Sequence, residues 1–260
     1  MPAVSEFDAL GKKIIGLMDL TSLNDDDTNA VIEQLCERAN NPIAATAAVC
    51  VAPAFVHIAK QALDKQGLTA INVATVVNFP AGNPHIDQAV AETHAAIAAG
   101  ADEIDLVYPY RAALAGDFAI GKLMVVAVKA ACKGKAILKV ILETGELKQA
   151  ELIRQISADV IEAGADFIKT STGKVEVNAT LEAARVMLQE IKKHGGRVGF
   201  KAAGGIRTLE QADAYLELAE QICGRSWVTP QHFRFGASGL LDDVMRHCGD
   251  SSIHSISSGY

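Results

Sequence analysis

Two lysines occupy matching places in successive short apolar runs: Lys169 in FIKTSTG (167–173) and Lys201 in GFKAAGGIR (199–207). A lysine inside an apolar strand is expensive to bury as a cation, so its amine is expected to have a use. The chemistry that residue type offers is Schiff-base formation with a carbonyl substrate. At the ordinary lysine pKa of about 10.4, only about one amine in 2500 is unprotonated at pH 7. Desolvation and a second ammonium on the neighbouring strand both disfavour the cation, so the pair reads as one lysine activated by the other.

Asp105, in DEIDLVYPY (102–110), is an acid between Ile104 and Leu106 and needs a partner. Strand alternation puts Glu103, Asp105 and Val107 on one face, from which Asp105 could reach the lysines; a structural ion pair is the other reading. Lys139, in AILKVILET (136–144), is a third strand lysine, with Glu143 four residues on and expected on the same face. A strand lysine of this kind can also be neutralised by an acid across a barrel. Lys169 and Lys201 stand apart by the loops they lead into. Thr170, Ser171, Thr172 and Gly173 come after the first, and Gly204 and Gly205 after the second, giving loops rich in hydroxyls and backbone N–H groups.

The elements that must position these residues recur along the chain. Apolar, β-branched runs begin at 14, 43, 71, 103, 136, 167, 197 and 233, with helical periodicity between them. In residues 150–164, for example, Leu152, Ile153, Ile156, Val160 and Ile161 form one stripe. Eight such alternations predict an α/β fold, a single-domain (β/α)8 TIM barrel over residues 1–260, with a flexible tail at about 250–260. An open doubly wound sheet competes, but MDLTSLN (18–24) after the first run lacks a GxGxxG turn. In a barrel the chemistry lies at the C-terminal ends of the strands. Gly204-Gly205 after the seventh run and Gly236-Ala237-Ser238-Gly239 after the eighth, each before a helical segment, occupy the usual phosphate position of that fold.

Other patterns fail that test. GDFAIGKL (116–123) has P-loop spacing, but Leu123 stands where a Ser or Thr belongs and no apolar strand precedes it. NDDDTN (24–29) begins like a calcium loop, yet Ala30 and Cys36 replace its Gly and Glu, so its acids are expected in the first turn of a helix. The seven histidines show no metal-ligand spacing, and no metal is expected. A net charge of −7 argues against a general nucleic-acid partner. Five scattered cysteines point to a reducing cytoplasm, and no leader or membrane-length apolar run is seen.

At these residues the chain resembles the deoxyribose-phosphate aldolases, a class I aldolase family. The resemblance is carried by LMDLTSLNDDDT (17–28), the strand around Cys50, NFPAGN (78–83), GADEIDLVYPYRA (100–112), LKVILETGEL (138–147), GADFIKTSTGK (164–174), GFKAAGGIRT (199–208) and FGAS (235–238). It implies a cytoplasmic barrel, often dimeric, that needs no cofactor or metal and acts on a phosphorylated sugar and acetaldehyde. By position it implies Lys169 as the Schiff-base lysine, Lys201 as the group that perturbs its pKa, and Asp105 as a proton relay. Tyr260 matches a C-terminal tyrosine that shuttles a proton. Asp19, Thr21, Cys50 and Thr170 would line the substrate pocket, and Lys174, Gly204, Gly205, Gly236, Ser238 and Gly239 its phosphate end. Gly239 stands where close relatives carry a second serine, and Ala202 replaces a proline of some members. Another Schiff-base aldolase, a transaldolase or a non-catalytic phospho-sugar binder are the alternatives.

Overall fold

The computed structural model describes residues 6–249. Eight parallel strands close into a barrel in chain order: β1 Met18–Ser22, β2 Ala48–Val51, β3 Asn72–Val77, β4 Glu103–Val107, β5 Ile137–Ile141, β6 Phe167–Lys169, β7 Gly199–Ala203 and β8 Phe233–Ala237. β8 pairs with β1, setting Gly236 beside Asp19, so the sheet has no open edge. This is the TIM barrel expected from the eight apolar runs.

A helix follows every strand, among them Ala150–Glu162 after β5, Leu181–Lys193 after β6 and Leu240–His247 after β8. Outward strand residues such as Ile104, Val140 and Ile168 join helix residues such as Ile156, Val160 and Met187 in one continuous buried core. Each such side chain contributes roughly 1.5–3 kcal/mol through burial. Helix starts are fixed locally. The Thr180 hydroxyl accepts from Ala183 N–H at 3.1 Å, and Thr208 with Gln211 forms a capping box.

Inside the barrel, register does the positioning. It sets Asp105 beside Lys139, Lys169 beside Lys201, and Lys201 beside Arg234. Residues in register on parallel strands face the same way, so these long side chains converge on one interior. Small residues make room for them. A Cβ on Gly236 would lie 3.0 Å from Lys201 Cε, and one on Gly199 would lie 2.4 Å from the Phe167 ring. Cys50, Ala74 and Val76 line the β2–β3 side.

Three local expectations change. Residues 14–16 end the helix Glu6–Gly16, with Ile14 and Ile15 buried on it, and the strand begins only at Met18. Residues 43–47 precede β2, and Asn41 Oδ1 accepts the N–H groups of Ile43 and Ala44 there. The acids at 25–27 stand outside the helix Asn29–Arg38, whose first turn holds none and whose cap is Thr28. Asp27 instead accepts the Ser22 hydroxyl at 2.8 Å and the Asn24 N–H at 3.1 Å, fastening the loop after β1. Among the described residues, no helix is long and apolar enough to cross a membrane, and no group of three or more His, Cys, Asp or Glu could hold a metal.

Candidate active site

Seven charged side chains are buried inside the barrel: Asp19, Glu103, Asp105, Lys139, Lys169, Lys201 and Arg234. Asp105 is their hub. Its Oδ1 accepts from Lys139 Nζ at 2.9 Å, and its Oδ2 accepts from both Lys169 Nζ and Lys201 Nζ at 2.8 Å. Lys201 also donates to Asp19 Oδ2 at 2.5 Å. Below them Arg234 donates to Asp19 Oδ1 at 2.5 Å and to Glu103 Oε1 at 3.0 Å, while Asn72 Nδ2 donates to the same Glu103 oxygen at 2.7 Å. Lys139 pairs with Glu103 and lies 3.3 Å from Asp19 Oδ2.

The electrostatics follow from these contacts. Burial opposes ionisation of Asp105, but Lys139, Lys169 and Lys201 outweigh it and hold the carboxyl well below the usual range. Asp19 is likewise opposed by burial and lowered by Lys201, Lys139 and Arg234. Glu103 is opposed by burial and lowered chiefly by Lys139. Burial works against the charge of Lys139, yet the three carboxylates raise its pKa above that of an ordinary lysine. Lys139 is therefore a structural cation, and Glu143 is not its partner. Glu143 lies beyond β5 with φ +60°, a left-handed conformation rare for a non-glycine residue.

That residue builds the rim instead. Glu143 Oε2 accepts the Thr172 hydroxyl at 2.5 Å and Oε1 accepts the Thr172 N–H at 3.2 Å. Burial raises its pKa, countered by these two bonds and by the nearby Lys169 charge. Thr172 Oγ1 in turn accepts Lys174 N–H at 3.0 Å, and Lys174 Nζ reaches the Leu23 carbonyl after β1 at 2.8 Å. The loop carrying Lys169 is thus tied to the loops after β5 and β1.

The remaining expected residues separate into two groups. Thr21 and Cys50 are buried and adjacent in register; the Thr21 hydroxyl donates to Asp19 O at 2.8 Å, and burial raises the Cys50 thiol. Thr170 spends its hydroxyl on the Ala203 backbone, donating to the carbonyl at 3.1 Å and accepting the N–H at 3.0 Å. It braces β6 against β7. Gly204, Gly205, Gly236, Ser238 and Gly239 line a cavity of about 330 Å³ together with Arg207 and Arg246. Gly204 and Gly205 have φ of +82° and +84°, and the helix Leu240–His247 begins at the same loop. Consecutive left-handed residues and a helix start present backbone N–H groups suited to an oxyanion. Tyr260 lies outside the described residues.

Sequence reasoning missed Arg234 and misplaced Glu143. Arg234 sits between Phe233 and Phe235 in FRFGAS, the same cation-in-an-apolar-strand signal that marked Lys169. Glu143 was marked only by its spacing from Lys139, because loop geometry determines its contact with Thr172.

The model of the DeoC/LacD family aldolases matches residues 13–241 of the chain. A proposed deoxyribose-phosphate aldolase from Coccidioides immitis is similar at 32% identity and TM-score 0.77, over 89% of this chain and 85% of that one. One from Toxoplasma gondii ME49, also a proposed assignment, is 26% identical with TM-score 0.85, over 94% of this chain and 96% of its own. The deoxyribose phosphate aldolase of Aeropyrum pernix, described as tetrameric, shares the fold at 22% identity and TM-score 0.73, over 94% and 97%.

Proposed function

The chain belongs to the DeoC/LacD family of aldolases, and from that premise we propose that it is a class I aldolase. In this reading it cleaves 2-deoxy-D-ribose 5-phosphate reversibly to D-glyceraldehyde 3-phosphate and acetaldehyde. The observation that carries the proposal is the single oxygen, Asp105 Oδ2, shared at 2.8 Å by Lys169 Nζ and Lys201 Nζ. Three carboxylates (Asp19, Glu103, Asp105) face four basic side chains (Lys139, Lys169, Lys201, Arg234), so the acids are shared unequally among them. We assign the nucleophile to Lys169, which has one carboxylate contact and ends its strand.

The free amine attacks C1 of the open-chain sugar, and loss of water from the carbinolamine leaves an iminium. Asp105, Lys201 and a water then take the proton from the C3 hydroxyl. The C2–C3 bond breaks, its electrons enter the iminium to form an enamine, and glyceraldehyde 3-phosphate departs. Protonation of the enamine at C2 and hydrolysis release acetaldehyde and restore the amine. The 204–239 cavity anchors the phosphate and so fixes C3 against the base. Cys50, Thr21 and Asp19 line the path to the amine.

Tyr260 is the proton donor to C2 in this scheme. Its removal is expected to slow deuterium exchange into acetaldehyde more than it weakens binding of a phosphate ligand. Equal losses would make it a structural residue. The five cysteines are free thiols, which supports a cytoplasmic setting, and a homodimer is the assembly we propose. The substrate assignment is tested by incubating the protein with 2-deoxyribose 5-phosphate and a panel of other phosphorylated sugars. Acetaldehyde and glyceraldehyde 3-phosphate should appear from the first, and preferential cleavage of another sugar would replace it.

A further inference from the structure

A cavity of about 540 Å³ lies between the N-terminal ends of the helices Ala150–Glu162 and Leu181–Lys193, and none of the seven buried barrel charges lines it. Its volume is within the range of about 300–1,000 Å³ usual for small-molecule sites. Ile153, Val177 and Val186 give it an apolar wall. Lys148 and Arg185 also line it, with Glu182 as the one acid, so the wall is net positive in a chain whose net charge is −7.

Two polar atoms of this wall are buried without a partner: Thr144 Oγ1 and Asn178 Oδ1. Thr144 as a residue is only 3% exposed. The Asn178 amide cannot turn over to cure its defect. Its Nδ2 donates to Val175 O at 2.9 Å, and a flip would set oxygen against oxygen. Buried polar groups left unpaired are costly, and a cavity wall holding two of them is incomplete.

We propose that this cavity is a second ligand site, which takes a small organic anion with an apolar body and a hydroxyl or N–H donor. The anionic group sits at Lys148 and Arg185, where the two helix starts add backbone N–H groups. The body covers Ile153, Val177 and Val186. The donor satisfies Asn178 Oδ1 after a small opening of the wall, and the Thr144 hydroxyl turns to give or accept. The site also touches the loops of the barrel mouth. Thr144 N–H donates to Thr170 O, next to Lys169, at 2.9 Å. Asn178 packs on Gly204 so closely that a Cβ there would lie 2.7 Å from Asn178 Cβ.

Calorimetric titration of the full chain with 4-hydroxybenzoate tests the site, using wild type, a Lys148→Ala/Arg185→Ala double variant and Ala150→Phe, which fills the space. All three positions are exposed, and circular dichroism checks the fold; Arg185→Ala alone serves if the double variant does not fold. Wild type should bind one molecule per chain saturably. Each lost charge-assisted contact should weaken binding about tenfold, and Ala150→Phe should abolish it. Benzoate, which lacks the hydroxyl, should bind more weakly than 4-hydroxybenzoate. No saturable binding to wild type, or equal affinity in the variants, would overturn the proposal.

Discussion

The floor and the rim of the barrel use the same residue types but pair them to different degrees. On the floor, Lys139 meets Glu103, Asp105 and Asp19, and Arg234 meets Asp19 and Glu103. At the rim, Lys169 meets Asp105 alone, while the nearby Glu143 carboxylate is turned to Thr172. Burial costs an ionised group heavily unless partners restore what water supplied. The floor cations recover that cost several times over and are fixed as charges. The rim lysine recovers it once, on an oxygen it shares with Lys201, which is why we propose it as the reactive amine.

Removing Lys201 should disturb this contrast most strongly. Lys201→Leu leaves Lys169 as the only donor to Asp105 Oδ2 and deletes part of the proposed proton relay. Cleavage should fall roughly 10²–10⁴-fold, while borohydride trapping on Lys169 should persist. Unchanged cleavage would separate Lys201 from the reaction.

Arg234→Met should act on stability before activity. It strips one cation from Asp19 and Glu103 while leaving both buried, at a cost of about 3–5 kcal/mol in urea unfolding. In the wild type, Asp19, Glu103 and Asp105 all have carboxyls held below their ordinary values. Their stabilisation is therefore complete above the unfolded value near 4 and is lost as pH falls through the lower folded values. The urea midpoint of the wild type should change little between about pH 5 and 8 and drop below about pH 4. A midpoint that declines steadily from neutral pH would contradict a saturated floor.

The smallest effect is expected at the rim itself. Glu143→Gln keeps an acceptor for the Thr172 hydroxyl but sets an N–H against the Thr172 N–H. The loop carrying Lys174 should loosen, lowering kcat/KM roughly tenfold, mostly through KM, on the scale of one charge-assisted hydrogen bond. A loss confined to kcat would instead place Glu143 in proton transfer.

Much of this division was legible in the sequence where it depends on periodicity. Lys169, Lys201 and Asp105 were marked by being charged within apolar strands, and the barrel register brings all three to one oxygen. Pairing partners were less legible. Glu143 was expected on the same face as Lys139 because alternation was carried past Ile141, where the strand ends and the backbone turns left-handed. The Asp25–Asp27 run looked like a helix start because charge alone does not reveal which residue caps; Thr28 does. Apolar content likewise could not separate the helix at 14–16 from the strand at 18, since Ile14, Ile15 and every residue of Met18–Ser22 are buried. Arg234 carried the same signal as the lysines, and strand alternation already pointed it inward.

If incomplete pairing is what frees an amine, Lys169 must be the nucleophile. Borohydride reduction in the presence of acetaldehyde, with peptide mass mapping of wild type and Lys169→Leu, puts that assignment to the test. A two-carbon adduct is expected on Lys169 and none on Lys139, with the adduct lost and cleavage reduced by roughly 10⁴-fold or more in the folded variant. An adduct on Lys139 or Lys201, or trapping and turnover that survive in Lys169→Leu, would contradict the assignment.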